Sequence, residues 1–333
     1  MHRALTDPWT LGGLTIPNRV VLAPLAGIGT WFVRLQARRF GAGLAVSEMV
    51  SSFAVHHGNE KTCTEMLRIH PDEGVVAIQL FGQEPDVMRS AAATVARTGA
   101  DLIDLNMGCP VPKVMKTGAG AAMLRDHDTA VAVARAAREG SGLPVTVKLR
   151  SGERIGDRDG YVLAHRLVEE AGVAGIAFHP RSAQVHHKGE PDLELARELV
   201  ASLPVPVVLS GGMRDPAWIV DAWRSTGAEA VMLARGALGN PWLFARLLDG
   251  GATPEPSPAE VAAELGWVMD RAVEHLGPVR AGRYLRKFYP WYVERLALEP
   301  AEAKALNAAL QATDLAGEAR EVLGASLYAA APS

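Results

Sequence analysis

Short, nearly continuous apolar runs alternate along the chain with longer amphipathic stretches. Residues 20–23, 44–47, 75–80, 102–106, 145–148, 175–179, 207–210 and 230–234 read as strands. Runs of this length without polar alternation suit strands buried on both faces, as in a parallel sheet. Between them, residues 85–98, 129–139, 160–171 and 216–226 carry helical periodicity. Repeated strand–helix units of this kind predict an α/β fold, a (β/α)8 TIM barrel. A doubly wound sheet is the competing architecture, but it has fewer units and a glycine-rich first turn.

The runs end in polar or special residues: Pro24, Glu48, Gln79, Asn106, Lys148, His179, Ser210 and Ala234. In a barrel these carboxyl ends converge on one face, where active sites are built. After Leu248 the pattern changes. Residues 249–258, rich in Gly, Pro and Ser, read as a linker, and 259–333 are helical in pattern with no strand-like run. The expected division is a barrel over 1–248, a linker over 249–258 and a small C-terminal helical bundle over 259–333.

Composition narrows the class. The chain has 333 residues, 48% of them hydrophobic and 21% charged, enough apolar side chain for a sizeable core. A net charge of -3 excludes a generally basic coat but allows a local basic patch. Two cysteines, Cys63 and Cys109, make neither a disulfide scaffold nor a four-cysteine zinc site. No run approaches the roughly 18 apolar residues of a membrane span, and the first twenty residues lack a signal peptide's apolar core. A monomeric protein of the reducing cytoplasm, away from the membrane, is the expectation. His56, His57, His186 and His187 lack metal-ligand spacing and a carboxylate partner, so no metal site is expected.

Two glycine-containing turns follow the seventh and eighth runs, Ser210-Gly211-Gly212 and Ala234-Arg235-Gly236. Loops at these places are the usual phosphate cradle of a TIM barrel, because glycine lets backbone amides come close to an anion. Arg235 would add a charged hydrogen bond. Lys148 suits the pyrimidine edge of a flavin, Gln79 offers that edge a donor and an acceptor, and Pro24-Leu25-Ala26 offers a flat ring a close apolar contact. Gly118-Ala-Gly120 begins a dinucleotide fingerprint that fails at its last glycine. A nicotinamide donor would therefore dock directly over the flavin.

The sharpest local signal is Asn106-Met-Gly-Cys109-Pro, directly after the fourth run. Cys63 reads as a small buried hydrophobe. Cys109, between Gly108 and Pro110, reads as presented on a stiff loop.

Here the sequence resembles the FMN-dependent tRNA-dihydrouridine synthases. The resemblance runs through Ala23-Pro-Leu-Ala-Gly27, Ser47-Glu-Met-Val-Ser51, Gln79-Leu-Phe-Gly82, Asn106-Met-Gly-Cys-Pro110, Lys113, Gly118-Ala-Gly120, Val147-Lys-Leu-Arg150, His179-Pro-Arg181 and Ala234-Arg-Gly-Ala-Leu-Gly-Asn-Pro-Trp242. It implies reduction of the C5–C6 double bond of uridines in tRNA, with NADPH or NADH as electron donor. It implies Cys109 as the proton donor to C5 and Asn106 as the residue that positions the uracil. Lys148, Gln79 and His179 would hold FMN, with its phosphate on Ser210 to Gly212 and on Ala234 and Arg235. Thiols ordinarily titrate near 8.5, so the residue type suits an acid at neutral pH. The chain departs from the family where Asn-Gly-Asp becomes Ser210-Gly211-Gly212, where Gly-Arg becomes Ala234-Arg235, and where Tyr-x-Gly becomes His187-Lys188-Gly189.

The tail bears on the RNA. Arg280, Arg283, Arg286, Lys287 and Arg295 interleave with Tyr284, Phe288, Tyr289, Trp291 and Tyr292. Basic groups suit phosphates and aromatic planes suit splayed bases. Arg286 and Lys287 are therefore expected on the RNA, and Lys113, Lys116 and Arg181 at the barrel mouth beside it. The bland reading of the tail is a solvated basic face beside an aromatic core. Two other functions remain open from the residues: a flavin reductase of a small unsaturated metabolite, and a non-catalytic RNA-binding factor.

Overall fold

In the computed structural model, which describes residues 3–329, a two-stranded hairpin comes first, formed by β1 (Trp9–Leu11) and β2 (Leu14–Ile16). Its turn is Gly12-Gly13, both at positive φ (57° and 87°), the twist a two-residue hairpin demands. A Cβ on Gly12 would lie 2.4 Å from that of Pro144, so the turn needs the missing side chain as well as the backbone freedom. Trp9, Leu11 and Ile16 are buried against inward-facing barrel residues such as Val21, Ala77 and Val208. The hairpin thus closes the amino-terminal end of the barrel, a role not read from the sequence because each strand has only three residues.

Eight parallel strands follow: β3 (Val20–Leu22), β4 (Leu44–Ser51), β5 (Val76–Phe81), β6 (Leu102–Met107), β7 (Val145–Arg150), β8 (Gly175–His179), β9 (Val207–Ser210) and β10 (Ala230–Leu233). They pair in sequence order, and β10 pairs β3 to close the barrel. β4 runs to Ser51, four residues past its expected end, because its register shifts between Val46 and Met49. This bulge absorbs Ser47 and Glu48, which read as a strand end. The Ser47 Oγ accepts the Gln79 N–H at 2.9 Å and donates to the Glu48 carbonyl at 2.7 Å.

The surrounding helices are α1 (Trp31–Arg39), α2 (Ser52–His56), α3 (Pro85–Ala96), α4 (Pro112–Met115), α5 (His127–Ser141), α6 (Asp159–Ala171), α7 (Leu193–Ser202), α8 (Pro216–Thr226) and α9 (Trp242–Leu248). Their ends follow ordinary capping chemistry. Asp215 caps α8 ahead of Pro216, and Gly172 leaves α6 in the left-handed conformation.

Five helices complete the chain: α10 (Pro258–Leu276), α11 (Pro278–Leu285), α12 (Tyr289–Val293), α13 (Pro300–Ala312) and α14 (Ala316–Ala329). A capping box of Ser257 and Glu260 starts α10. The last residues of the expected helical domain, 330–333, lie outside the described residues, as do 1 and 2 of the barrel domain. These helices share a core with the barrel side. Buried Gln36 on α1 donates to the Tyr292 hydroxyl and to Glu264, both at 2.8 Å. Phe32 packs edge-on against Tyr284. Among the described residues no helix is long and apolar enough to cross a membrane.

Candidate active site

A cleft of about 790 Å³ opens at the carboxyl ends of the strands. Every residue expected to hold a cofactor lines it: Pro24, Leu25, Ala26, Gln79, Lys148, His179, Ser210, Gly211, Gly212, Ala234 and Arg235. Asn106, Cys109 and Arg181 line it as well. Lys113, on α4, is exposed and outside the lining. Exposed Lys287 and half-buried Arg286 also lie outside it.

The floor is a connected polar network. Gln79 Nε2 donates to Asp104 Oδ2 at 2.6 Å, and Asn106 Nδ2 donates to Gln79 Oε1 at 2.8 Å. Asn106 Oδ1 accepts the backbone N–H of Cys109 at 2.9 Å and that of Gly108 at 3.3 Å. Asn106 therefore builds the cysteine loop. Gly120 supports the same loop from below. It sits at φ 64°, and a Cβ there would lie 2.8 Å from the Cys109 carbonyl oxygen. The failed dinucleotide fingerprint at Gly118-Ala-Gly120 is thus a packing motif. Cys109 is half-buried at the cleft.

Charge concentrates on the next strands. Lys148 Nζ donates to Ser210 Oγ at 3.2 Å, and burial, with the Arg150 guanidinium nearby, lowers its ammonium to about 8. Burial also lowers Arg150, to about 10; its guanidinium donates to the carbonyls of Gly108, Ser182 and His186. Arg150 so ties the cysteine loop to the loop after β8, a role hidden in the sequence except as a charged residue closing an apolar run. His179 is neutral, held far below the ordinary imidazole range by burial and by Lys148, Arg150 and Arg181. Arg181 Nη1 sits 3.2 Å from His179 Nε2, and its Nε and Nη2 donate to the Gly189 carbonyl at 3.0 and 2.8 Å. The ring of His187 lies parallel to that of His179 with centroids 6.2 Å apart.

The glycine turns are tight. Gly211 has φ 104°, and a Cβ on it would lie 2.3 Å from the His179 ring. A Cβ on Gly236 would lie 2.1 Å from the Met213 carbonyl oxygen. Bare backbone beside Arg235 and Arg214 fits a phosphate, and the apolar wall at Pro24–Ala26 with the cationic floor fits a flat, electron-accepting ring. The residues present therefore fit a flavin mononucleotide.

The tail departs from its expected use. Phe288, Tyr289 and Tyr292 are buried, so they are core residues and offer no face to a base. Arg280 makes a bidentate pair with Glu65 at 2.8 and 2.7 Å. Arg286 donates to the Thr313 carbonyl and to Asp314. Lys287 donates to the Gly27 carbonyl at 2.9 Å, and Tyr284 to the Ile28 carbonyl at 3.0 Å. Glu48 takes the Gly27 N–H at 2.7 Å from the other side. The loop carrying Pro24–Ala26 is thus clamped between the β4 bulge and the tail, and Trp291 of α12 joins the cleft wall. Cys63 is half-buried in a π-helical turn over Thr62–Met66, and so is not the core hydrophobe expected. Among the described residues no group of three His, Cys, Asp or Glu side chains is placed to hold a metal ion.

Comparison with known proteins bears on the family and the fold. Residues 21–328 match the family model described as dihydrouridine synthase (Dus). The tRNA-dihydrouridine synthase B of Xanthomonas campestris pv. campestris is 35% identical over 289 residues, covering 85% of this chain and 86% of that protein. The tRNA-dihydrouridine synthase B of Proteus vulgaris is 32% identical over 312 residues, 91% of this chain and 95% of that one. Among solved structures, the old yellow enzyme homologue from Zymomonas mobilis shares the fold at a TM-score of 0.58 and 16% identity, covering 76% of this chain and 95% of that chain. Morphinone reductase in complex with tetrahydroNAD does so at 0.54 and 17%, covering 78% and 94%. With a family model spanning nearly its whole length and relatives of this identity over most of theirs, the chain belongs to the dihydrouridine synthase family of flavin-dependent TIM-barrel oxidoreductases.

Proposed function

We propose that the protein binds FMN in the cleft and reduces the C5–C6 double bond of uridines in tRNA, drawing electrons from NADPH or NADH. When bound, the flavin supplies hydride to C6. Every other contribution comes from the chain. Cys109 gives a proton to C5, and the atoms then balance: one hydride and one proton per double bond. Asn106 fixes the height and direction of the Cys109 loop through Oδ1, and general acids placed in this way contribute about 10²–10⁴ in rate. Lys148, Gln79 and neutral His179 hold the polar edge of the cofactor; Ser210–Gly212, Ala234 and Arg235 hold its phosphate. Arg181, anchored on Gly189, Lys113 and Lys116 meet RNA phosphates at the mouth. A tRNA substrate also accounts for the expected cytoplasmic location.

The observation that carries this reading is the Cys109 loop, tied down by Asn106 and Arg150 beside the cationic floor of the cleft. A stacked uridine must leave its helix to reach that floor, which costs a few kcal/mol. The division of labour follows: the barrel over 1–248 is catalytic, 249–258 connects, and 259–333 closes the cleft and carries Arg286 and Lys287 near the RNA. The test is nucleoside mass spectrometry of unmodified tRNA incubated with flavin-loaded protein and NADPH. Uridine should gain the mass of two hydrogens. No gain from flavin-loaded protein would overturn the reading.

A further inference from the structure

Asp104 lies in the middle of β6 and is buried to 1% exposure, where an acid is costly. Burial raises its carboxyl to about 6, so at neutral pH it is mostly ionised, and an ionised carboxylate only accepts hydrogen bonds. Both its oxygens are used: Thr146 Oγ1 donates to Oδ1 at 2.6 Å and Gln79 Nε2 donates to Oδ2 at 2.6 Å.

A side-chain amide has two orientations that differ only in the exchange of its donor and its acceptor. With Nε2 committed to Asp104, Gln79 must present Oε1 to Asn106, which it does at 2.8 Å from Nδ2. Asn106 must then present Oδ1 to the N–H groups of Cys109 and Gly108. Reversing any link sets donor against donor at the next one. The order Thr146, Asp104, Gln79, Asn106, Cys109 is a single polarised relay whose only charged, acceptor-only member is Asp104.

The relay also decides what the cleft offers. Gln79 retains one N–H, and the second N–H of Asn106 has only the Met49 sulfur, 3.7 Å away and a weak acceptor. With the Lys148 ammonium, the floor presents donors to whatever enters.

We propose that Asp104 is a positioning residue that sets the polarity of the cleft floor and, through Gln79 and Asn106, the orientation of the Cys109 loop. The floor it creates fits a planar heterocycle with carbonyl oxygens along one edge that becomes anionic on reduction. The identity of that ring rests on the proposed function; the relay itself does not.

The test uses Asp104→Asn, an isosteric change that lets a donor face Gln79, and the double variant Asp104→Asn/Gln79→Glu. In the double variant the carboxylate moves one link along. It accepts from the new amide at position 104 and from Asn106, and the free N–H at position 79 is lost. Two readouts need no RNA. One is the rate of Cys109 alkylation by iodoacetamide in flavin-free protein, read at that residue by peptide mass spectrometry. The other is the dissociation constant of FMN. Asp104→Asn should raise the alkylation rate several-fold and weaken FMN several-fold, because the charge-assisted bond that orients Gln79, and with it the free N–H that Gln79 turns to the cleft, is lost. The double variant should return alkylation to the wild-type rate while FMN stays weak. Wild-type alkylation and FMN binding in Asp104→Asn would overturn the proposal. So would a double variant whose alkylation rate is not restored. Should Asp104→Asn fail to fold, the double variant carries the test alone, and its misfolding would also overturn the relay. Absent uridine reduction in otherwise wild-type protein would instead strike the proposed function and leave the relay standing.

Discussion

At the barrel mouth Lys113, Lys116, Arg214 and Arg235 make no ion pair among the described residues, whereas in the tail Arg280 grips Glu65, Arg286 reaches Asp314, and Lys287 is spent on the Gly27 carbonyl. The aromatics divide in the same way. Trp291 lines the cleft, but Phe288 against Phe32 and Tyr292 against Gln36 fill the seam between tail and barrel, and Tyr289 is buried. As sequence, both regions are basic and could equally serve RNA. As structure, these four mouth cations keep no counter-charge, whereas the tail commits Arg280 and Lys287 to the barrel and Arg286 to its own Asp314, with Arg283 and Arg295 left without an ion pair among the described residues. A basic residue signals an anionic partner only when the fold has not already supplied its counter-charge.

Three experiments press on that contrast, and the first has the largest effect. Cys109→Ala should retain flavin and tRNA affinity while lowering uridine reduction about 10²–10⁴-fold, the usual worth of a positioned acid. Near-wild-type turnover would mean that the mouth holds its proton donor elsewhere.

The second concerns Lys148. Its ammonium, lowered to about 8 by burial, is charged below that pH, so FMN affinity should fall as pH rises through about 8. Lys148→Met should weaken FMN about tenfold or more and abolish this pH step. In flavin-free protein the sign reverses. A lysine whose folded pKa lies below its unfolded value of about 10.5 costs stability while it is charged, and the cost is relieved as pH rises from 8 toward 10.5. Lys148→Met should therefore melt higher than wild type at pH 7 by calorimetry. A lower Tm would show that the cation is internally compensated.

The smallest effect separates the regions directly. Lys113→Ala with Lys116→Ala should flatten the salt dependence of tRNA binding by about 1.5 in log–log slope, two phosphates released. Arg280→Ala should leave the slope unchanged and cost about 0.5–1 kcal/mol of stability, the worth of a partly exposed ion pair. A slope lost from Arg280→Ala instead would make the tail pair a latent RNA contact.

The strand-end residues show how much could be read without coordinates. Gln79, Lys148, His179 and Ser210 ended apolar runs, and polar groups at such ends have few other reasons to be there. The glycine turns at 211–212 and 235–237 were visible for the same reason: spacing and residue type are local quantities. Asp104 and Arg150 were not legible. Each stands inside or at the close of an apolar run, and its meaning lies in partners far away in the chain, Gln79 and Thr146 for one, Gly108 and His186 for the other.

The sequence by itself determined the barrel, its eight strands within a few residues, and the chemistry gathered at one rim, because buried-strand periodicity and strand-end polarity are carried by near neighbours. Only the tertiary structure decided the hairpin that floors the barrel, the bulge that turns Glu48 onto Gly27, the direction of each amide in the cleft floor, and which basic residues remain unpaired. Those depend on hydrogen bonds and counter-charges between segments up to 260 residues apart, as between Lys287 and Gly27. Pairing at that range is settled by how the elements pack, and no local pattern of residues specifies it.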